Sequence, residues 1–438
     1  MEMNHPQWCL ITVPKNNSDF LEKLCLLLGC VCAHKTAEAS LYLIYSILSI
    51  FGAFIMPNIC IVGGSNSSYS IISLLSQNKN NKIKLLTSRP LDWEKEIYCN
   101  MVNENNHVAD TLKGTIILSS SEPKDVIPDA EIIIITAPVH SYTNYLQNIA
   151  CYINHNAPVY LGFIYGQGGI DWMCQALVNE YHFENLHYWS VGLIPWICRT
   201  YTYGKKGINY GANKHNVVCA SSDFCYQYLQ EYLLDDLCLN YFEKGKFHRA
   251  FNFIELTLSV DNQIIHPARC YALAMTHPEG WANESEVPFF YKDFDDLSAA
   301  TLQKVDNEYE TIRQHIRTLI SQPLTFLLGY LELERFSAGS EVEDIKKSFV
   351  ESKTLHQIKP PLIKIKERYY INTNHRFFKD DIFYGLDIAK FFANQFSIET
   401  PEINKIRHFC VQEMLSQNTS FPERTHRIAI PTPHKIQN

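Results

Sequence analysis

Residues 58–75 read NICIVGGSNSSYSIISLL, and the reading of this stretch decides the fold. Asn58 to Val62 is a short apolar run rich in β-branched residues, the composition of a buried strand. Gly63-Gly64-Ser65-Asn66-Ser67-Ser68 follows as a turn of small residues. Tyr69 to Leu75 then repeats apolar residues at helical spacing. Strand, small-residue turn and helix form the context in which a dinucleotide pyrophosphate is held. The turn lets the backbone approach the phosphates. The helix N-terminus offers free N–H groups and the positive end of its dipole. The match to G-x-G-x-x-G is partial, since Gly63 holds the first place while Ser65 and Ser68 hold the second and third. A serine adds a Cβ where a phosphate comes close, although its hydroxyl can donate to an oxygen. Gly63, Gly64, Ser65, Asn66 and Ser68 are the candidate phosphate-binding residues.

The next strand, Lys82 to Leu86, ends in Thr87-Ser88-Arg89. An NAD site usually carries an acid near this point, for the ribose 2′-hydroxyl. Hydroxyls and a guanidinium suit a 2′-phosphate instead, so NADP is the expected cofactor and NAD its rival. A solvated loop arginine is the other reading of Arg89. Thr115 to Leu118 reads as a short third strand. Ile132 to Thr136 (IIIIT) reads as a fully buried parallel one. It ends in Ala137-Pro138-Val139-His140. Ligands of such sheets lie beyond the carboxyl ends of the strands, which turns Ala137 and Pro138 toward the cofactor. His140 is read as a surface loop residue. Val159 to Gly162 leads into Tyr165-Gly166-Gln167-Gly168-Gly169, a ligand loop built around Gln167. Tyr188 to Val191 is the next strand, and Asn216 to Ala220 is taken as the last of this half. Alternating strands and helices make residues 57–246 one mostly parallel α/β domain of Rossmann type.

From Phe247 the period turns helical. Phe247 to His266, Leu297 to Leu319, Tyr384 to Phe396 and Ile403 to Met414 are the helix candidates. In the second, Leu302, Val305, Tyr309, Ile312 and Ile316 follow a repeat near 3.6. Residues 247–438 are therefore expected to form a mainly α-helical C-terminal domain, with the active cleft between the halves. Within it stands Asn262-Gln263-Ile264-Ile265-His266-Pro267, which places Asn and His one turn apart on a single helix face. Pro267 removes a backbone donor and bends a helix at that point. From the hexapeptide alone, a kink beside a buried core histidine is the preferred reading.

The 438 residues suffice for two or three domains with proper cores. A net charge of −8 without a long basic run argues against a nucleic-acid partner. The 14 cysteines show neither CxxC pairs nor zinc spacing and are read as reduced thiols in a cytoplasmic protein. Residues 1–55 are set apart by the apolar run from Ser40 to Met56, a little short of the ~20 residues a membrane span needs. The preferred reading is an extension that the main fold does not need. A membrane contact through residues 40–56 and a buried extra helix are the alternatives. The oligomeric state is left open.

Several of these stretches, taken together, resemble the opine dehydrogenases, the octopine/nopaline dehydrogenase family. IVGGSNSS is similar to that family's CGGGNGAH turn, and DAEIIIITAPVHSY to its GADVVILTVPAFAH strand and turn. Gln167 matches the glutamine of a Gly-rich loop, Leu193 to Arg199 an LPWxCR segment, and Asn262 to Pro267 an Asn-x-x-x-His-Pro. Val287 to Tyr291 resembles PLFYxG, and Arg376 to Ile382 resembles RYLTEDI, with Lys379-Asp380 in place of Thr-Glu. The resemblance covers residues 57 to 420, in order and at matching spacing. It implies a Rossmann domain followed by an α-helical domain. It also implies an enzyme that condenses an amino acid with a 2-oxo acid, often pyruvate, and reduces the imine with NAD(P)H. By the same resemblance His266 is the catalytic histidine and Asp381 its partner.

That chemistry suits those residues. Loss of hydroxide from a carbinolamine needs a proton donor, and the reverse reaction needs a base. One histidine can serve both, because its pKa of about 6.5 lies near working pH. A carboxylate on the other ring nitrogen fixes the tautomer and stabilises the imidazolium. Carboxylate substrates also need a cation, for which Arg376 is the candidate, with a structural ion pair as its alternative. Gln167 and Asn262 are further substrate-binding candidates, and Trp281 and Tyr291 are candidate pocket walls, with core packing as the commoner role of such aromatics. Two other functions fit the same fold: a metabolite-binding protein without turnover, and a 2-oxo acid or hydroxy acid reductase without condensation.

Overall fold

The architecture follows from eight strands whose order is set by one reversal of direction. A computed structural model describes residues 57–103, 107–237, 245–352 and 355–422. The strands of the main sheet are β1 (Asn58–Val62), β2 (Lys82–Leu86), β5 (Leu118–Ser120), β6 (Ile132–Ile135), β7 (Val159–Phe163), β8 (Leu186–Val191), β11 (His215–Ala220) and β12 (Lys246–Ala250). Their order is β12-β11-β8-β7-β6-β1-β2-β5. Every pairing is parallel except β8 with β11. The chain runs outward from β1 through β2 and β5, then returns to place β6 on the other side of β1. That reversal opens a crevice beyond the carboxyl ends of β1 and β6, the usual ligand position in such a sheet. The central strands β1, β6 and β7 are buried almost throughout, which accounts for their continuous apolar runs.

A second sheet lies on the first helix of this sheet, α1 (Asn66–Leu75). It consists of β3 (Glu96–Val102), β4 (Val108–Thr115), β9 (Trp196–Thr202) and β10 (Lys206–Ala212), in the order β4-β3-β10-β9. Sandwiched between two sheets, α1 is buried from Ser67 to Leu75. Its serines therefore serve close packing. A Cβ on Gly207 of β10 would lie 2.4 Å from the Tyr69 Cβ, and one on Gly114 of β4 would lie 2.9 Å from Ile72 Cγ2. Ser70 Oγ accepts from the Asn209 side chain at 3.3 Å.

The helical part is built on α4 (Asn262–Thr276), with α2 (Tyr142–Ala150) and α3 (Ile170–Tyr181) belonging to the sheet domain. Against α4 pack α5 (Asp296–Leu319) and α8 (Pro401–Ser416). The remaining long helices are α6 (Tyr330–Ala338) and α7 (Asp387–Phe396), the latter against α5. Leu302, Val305, Tyr309, Ile312 and Ile316 are all buried, as their spacing predicts. The fold is therefore a mostly parallel Rossmann-type sheet followed by a mainly helical part.

Several expectations need correction. The segment 115–118 is not one strand. Thr115 ends β4 of the second sheet, and the main-sheet strand begins at Leu118. Phe247 to His266 is not one helix. Lys246–Ala250 is a strand paired to β11, Ile254–Leu258 a short helix, and α4 starts only at Asn262. Alternation of apolar and polar residues over five positions is a weak signal beside the helical pattern that follows it. The sheet thus extends past residue 220, and the division drawn at 246/247 falls inside β12. Tyr384 to Phe396 also splits into a widened turn, Ile382–Leu386, and α7. Pro267 stands in the second turn of a new helix, where it costs one hydrogen bond rather than ending a long helix. Among the described residues no helix is long and apolar enough to cross a membrane, and the stretch 40–56 lies outside them. The nine described cysteines are free thiols.

The tightest test of the sheet packing is Gly162 in β7. A Cβ there would sit 2.0 Å from Cε2 of the fully buried Trp189. Gly162→Ala should therefore destabilise the protein by about 3 kcal/mol, the upper range for overpacking. Chemical denaturation measures this, and an unchanged midpoint would contradict the packing described.

Candidate functional site

Two groups of residues meet at the carboxyl ends of the strands. The first surrounds the turn after β1. Gly63 has φ of 106°, a left-handed conformation suited to glycine. A Cβ on it would lie 3.0 Å from Thr136 Oγ1 at the end of β6. A Cβ on Gly64 would meet Tyr203 Oη at 3.0 Å, Thr87 Oγ1 at 3.1 Å and Trp93 Cζ2 at 3.2 Å. Ser65 is the N-cap of α1, and its Oγ is buried without a partner among the described residues. A glycine cradle, an unpartnered hydroxyl and a helix N-terminus together fit a phosphate group.

The sequence-predicted cofactor residues divide here. Gly63, Gly64, Ser65, Thr87 and Ala137 gather about the turn. Thr87 is buried, while Ser88 and Pro138 are exposed. The Arg89 guanidinium stacks 3.7 Å over the Tyr203 ring, with Asp92 3.7 Å from its Nε. Asn66 and Ser68 turn elsewhere. Asn66 Oδ1 accepts from Thr200 N and Oγ1, both at 2.8 Å. Ser68 Oγ donates to the Gly63 carbonyl at 2.8 Å and lies 2.9 Å from Thr136 Oγ1. The serine in the third fingerprint place therefore braces helix against strand, and its hydroxyl is not aimed at a phosphate.

The second group is the His266–Asp381 pair. Their segments are 115 positions apart, yet His266 Nδ1 and Asp381 Oδ2 lie 2.8 Å from each other, with both side chains 1% exposed. Asp381 immediately precedes the widened turn, whose first bond runs from Leu386 N–H to the Asp381 carbonyl at 3.0 Å. Such wide turns re-aim side chains within a helical path. Gly385 lets this turn press on α4, since a Cβ there would meet the Gln263 Cβ at 2.7 Å. Gln263 Nε2 adds a bond to the Tyr384 carbonyl at 2.9 Å. Phe377 stacks on the imidazole at 3.5 Å and Phe290 meets it edge-on. Tyr291 Oη lies 3.1 Å from His266 Nε2.

Burial, with the charges of Arg376, His375 and Arg199 added, holds the His266 pKa well below its ordinary value. Burial likewise raises that of Asp381, assisted by Asp380 and opposed by Arg376. For Arg376, burial works against the charge. The carboxylates of Asp381 and Asp380 outweigh it and keep the guanidinium charged. Among the described residues no carboxylate comes within ion-pair distance of Arg376, although Asp381 and Asp380 both act on its charge.

Other predicted residues fall around this pair. Asn262 donates to Asp261 Oδ2 at 3.0 Å. Gln167 is fully buried, accepts from Tyr165 Oη at 2.7 Å and donates to the Ser259 carbonyl at 2.9 Å, which places it inside the wall of the cleft. Trp281 lines a different cavity, of about 130 Å³, with Cys270, Phe378 and Glu413. His140 corrects its reading as a surface loop residue: its Nδ1 pairs with Asp380 Oδ1 at 2.5 Å. That contact joins the turn after β6 to the residue beside Asp381. Nothing in the spacing of the sequence points to it, nor to Tyr291 capping His266.

A Rossmann-type sheet with a glycine turn after its first strand, followed by a helical part, is the frame on which many nicotinamide-dependent dehydrogenases are built. Residues 249–414 match the family model described as NAD/NADP octopine/nopaline dehydrogenase, alpha-helical domain. The chain is similar to octopine dehydrogenase of Pecten maximus, at 21% identity over 362 residues, covering 80% of this chain and 88% of that protein. It superposes on octopine dehydrogenase bound to NADH and L-arginine with a TM-score of 0.70 at 17% identity, covering 87% of this chain and 97% of that one. Yersinopine dehydrogenase with bound NADP+ gives a TM-score of 0.59 at 11% identity, covering 87% and 96%. Through residues 249–414 the chain matches the helical domain of the octopine/nopaline dehydrogenase family, and its fold is that of octopine dehydrogenase.

The enclosure of His266 has a direct readout. In the folded parent, diethyl pyrocarbonate should leave His266 unmodified while it acylates exposed histidines, as read by peptide mass spectrometry. Phe377→Ala removes the ring stacked on the imidazole and should make His266 reactive. Rapid modification of His266 in the parent would refute the enclosure.

Proposed function

We propose that this protein reductively condenses an amino acid with a 2-oxo acid, such as pyruvate, using NADPH in preference to NADH. The observation that carries the reading is the buried His266–Asp381 pair with the Arg376 guanidinium beside it. When bound, the nicotinamide supplies or accepts the hydride. The chain's own residues do the rest. Gly63, Gly64 and Ser65 would hold the pyrophosphate at the N-terminus of α1. Thr87 and Arg89 would meet the ribose, with Arg89 braced by Tyr203. Arg376 would hold a substrate carboxylate, with Asn262 as its neighbour on α4. Asp381 accepts from His266 Nδ1, which fixes the tautomer with a bare Nε2 and balances charge when Nε2 takes a proton. Relatives support either cofactor, since solved members hold NADH or NADP+. The preference for NADPH rests on Arg89 and on the absence of an acid at the end of β2.

The deciding experiment is oxidation of NADPH with pyruvate across a panel of amino acids. Oxidation should require both substrates. Oxidation by the oxo acid alone would make the protein a simple reductase, and binding without turnover would make it a metabolite-binding protein. His266→Ala should leave dinucleotide binding intact while turnover falls by about two to four orders of magnitude. In the oxidative direction the histidine must be neutral to accept a proton. A lowered pKa keeps it neutral further into acid. The rate should therefore hold steady near neutrality and fall with pH only below 6.5, an acid limb that His266→Ala abolishes.

For the cofactor, Arg89→Asp should weaken NADPH more than NADH in fluorescence titrations. Equal affinity of the parent for both would remove the basis of that preference.

A further inference from the structure

We propose that His140 is a positioning residue for the substrate anion: by taking the carboxylate of Asp380 it keeps the Arg376 guanidinium from closing an ion pair within its own helical turn. This rests on the role given to Arg376 above. The argument begins with spacing. The Asp380 N–H donates to the Arg376 carbonyl at 2.7 Å, so the two residues stand one helical turn apart. Arginine and aspartate at that separation share a helix face and ordinarily attract each other into a pair. Here they do not pair. Asp380 Oδ1 accepts from the His140 backbone N–H at 3.0 Å and lies 2.5 Å from His140 Nδ1. A backbone N–H can only donate, so the direction of the first bond is fixed. The Asp380 side chain is 4% exposed, and its carboxylate therefore depends on protein donors.

Asp381, the other carboxylate acting on Arg376, is held by His266 in the same manner. Two consecutive aspartates are thus each engaged by a histidine, one from the turn after β6 and one from α4. Among the described residues the Arg376 guanidinium is left without a hydrogen-bond acceptor, although it is partly buried. A cation so placed draws in the nearest free carboxylate. Asp380 is the one within its own turn, and His140 is what keeps it occupied. The fork of donors is then left for a carboxylate that arrives with the substrate. Without the imidazole, Asp380 keeps the backbone donor alone and is free to turn to Arg376.

Calorimetric titration of the NADPH complex with pyruvate, and with each amino acid of the panel, identifies the carboxylate that Arg376 holds as the ligand whose binding Arg376→Leu abolishes. His140→Ala should weaken that same ligand by about 10- to 100-fold, the worth of a hydrogen bond to a charged group. NADPH affinity should stay within about twofold. His140→Asn, whose amide nitrogen can stand where Nδ1 does, should keep the ligand within about threefold of the parent. The deciding variant combines His140→Ala with Asp380→Asn. An amide cannot neutralise Arg376, so the affinity should return although both partners of the contact are gone. A merely structural role for His140 requires the reverse, a double variant at least as weak as the single one. That result would overturn the proposal, as would unchanged affinity in His140→Ala. A parent in which no carboxylate depends on Arg376 overturns the role of Arg376 and this proposal together. A parent with that dependence beside an unaffected His140→Ala overturns this proposal alone.

Discussion

Withdrawing His266 and Asp381 from water together is the constraint on which the rest of the site depends. A charge on either group would cost several kcal/mol to bury alone, so each is held by a hydrogen bond to the other. The fold meets this by making the encounter unavoidable. Asp381 sits at the head of a widened turn pressed on α4 through Gly385, and His266 stands on the opposing helix. The aromatic rings of Phe377 and Phe290 exclude water from the pair. Low exposure strengthens the bond between them and, with Arg376, keeps the imidazole short of its proton. The imidazole therefore stays neutral further into acid than a solvated histidine would.

The nucleotide end of the site answers to a different constraint, close packing. A helix between two sheets has no solvent face on which to place large polar side chains. Its positions are therefore filled by Ser67, Ser68, Ser70 and Ser73, all buried and small enough for both sheets to approach. Hydroxyls in such a place need partners. Ser68 finds Gly63 and Thr136, and Ser70 finds Asn209. The departures from the glycine fingerprint are thus a consequence of the second sheet. They leave Gly63 in the left-handed conformation that the turn after β1 requires.

Features that repeat along the chain were readable in the sequence. The buried parallel strands, the apolar stripe of α5 and the turn after β1 each rest on local composition or period. The resemblance to a family located His266 and Asp381, which no periodicity would have joined across 115 positions. What stayed hidden depends on partners distant in the chain. The second sheet pairs β3 with β10, over a hundred residues on, and its half-exposed strands alternate too weakly to stand out. Lys246–Ala250 was masked by the helical pattern after it. His140 and Asp380, each ordinary alone, become a pair only when the sheet end and the widened turn meet. Gln167, taken for a ligand contact, is fully buried with its amide matched by Tyr165 and Ser259, partners that its sequence neighbourhood does not announce.

These long-range pairs have a common placement, and it bears on how the site works as a unit. His140 follows β6 and holds Asp380; Gln167 follows β7 and holds Ser259, three residues before α4. Each tether runs from a strand-end turn of the sheet to the polypeptide beside one member of the pair. Gly168 brings the same loop against the widened turn, since a Cβ there would lie 2.7 Å from Val139 and 3.4 Å from Tyr384. The turns at the carboxyl ends of β6 and β7 and the segments that carry His266 and Asp381 are therefore in direct contact. A shift of the β6 turn must either carry Asp380 with it or break a hydrogen bond at 2.5 Å. Because Asp381 is the next residue, the geometry of the His266–Asp381 pair is coupled to that of the turn after β6 by a single peptide unit.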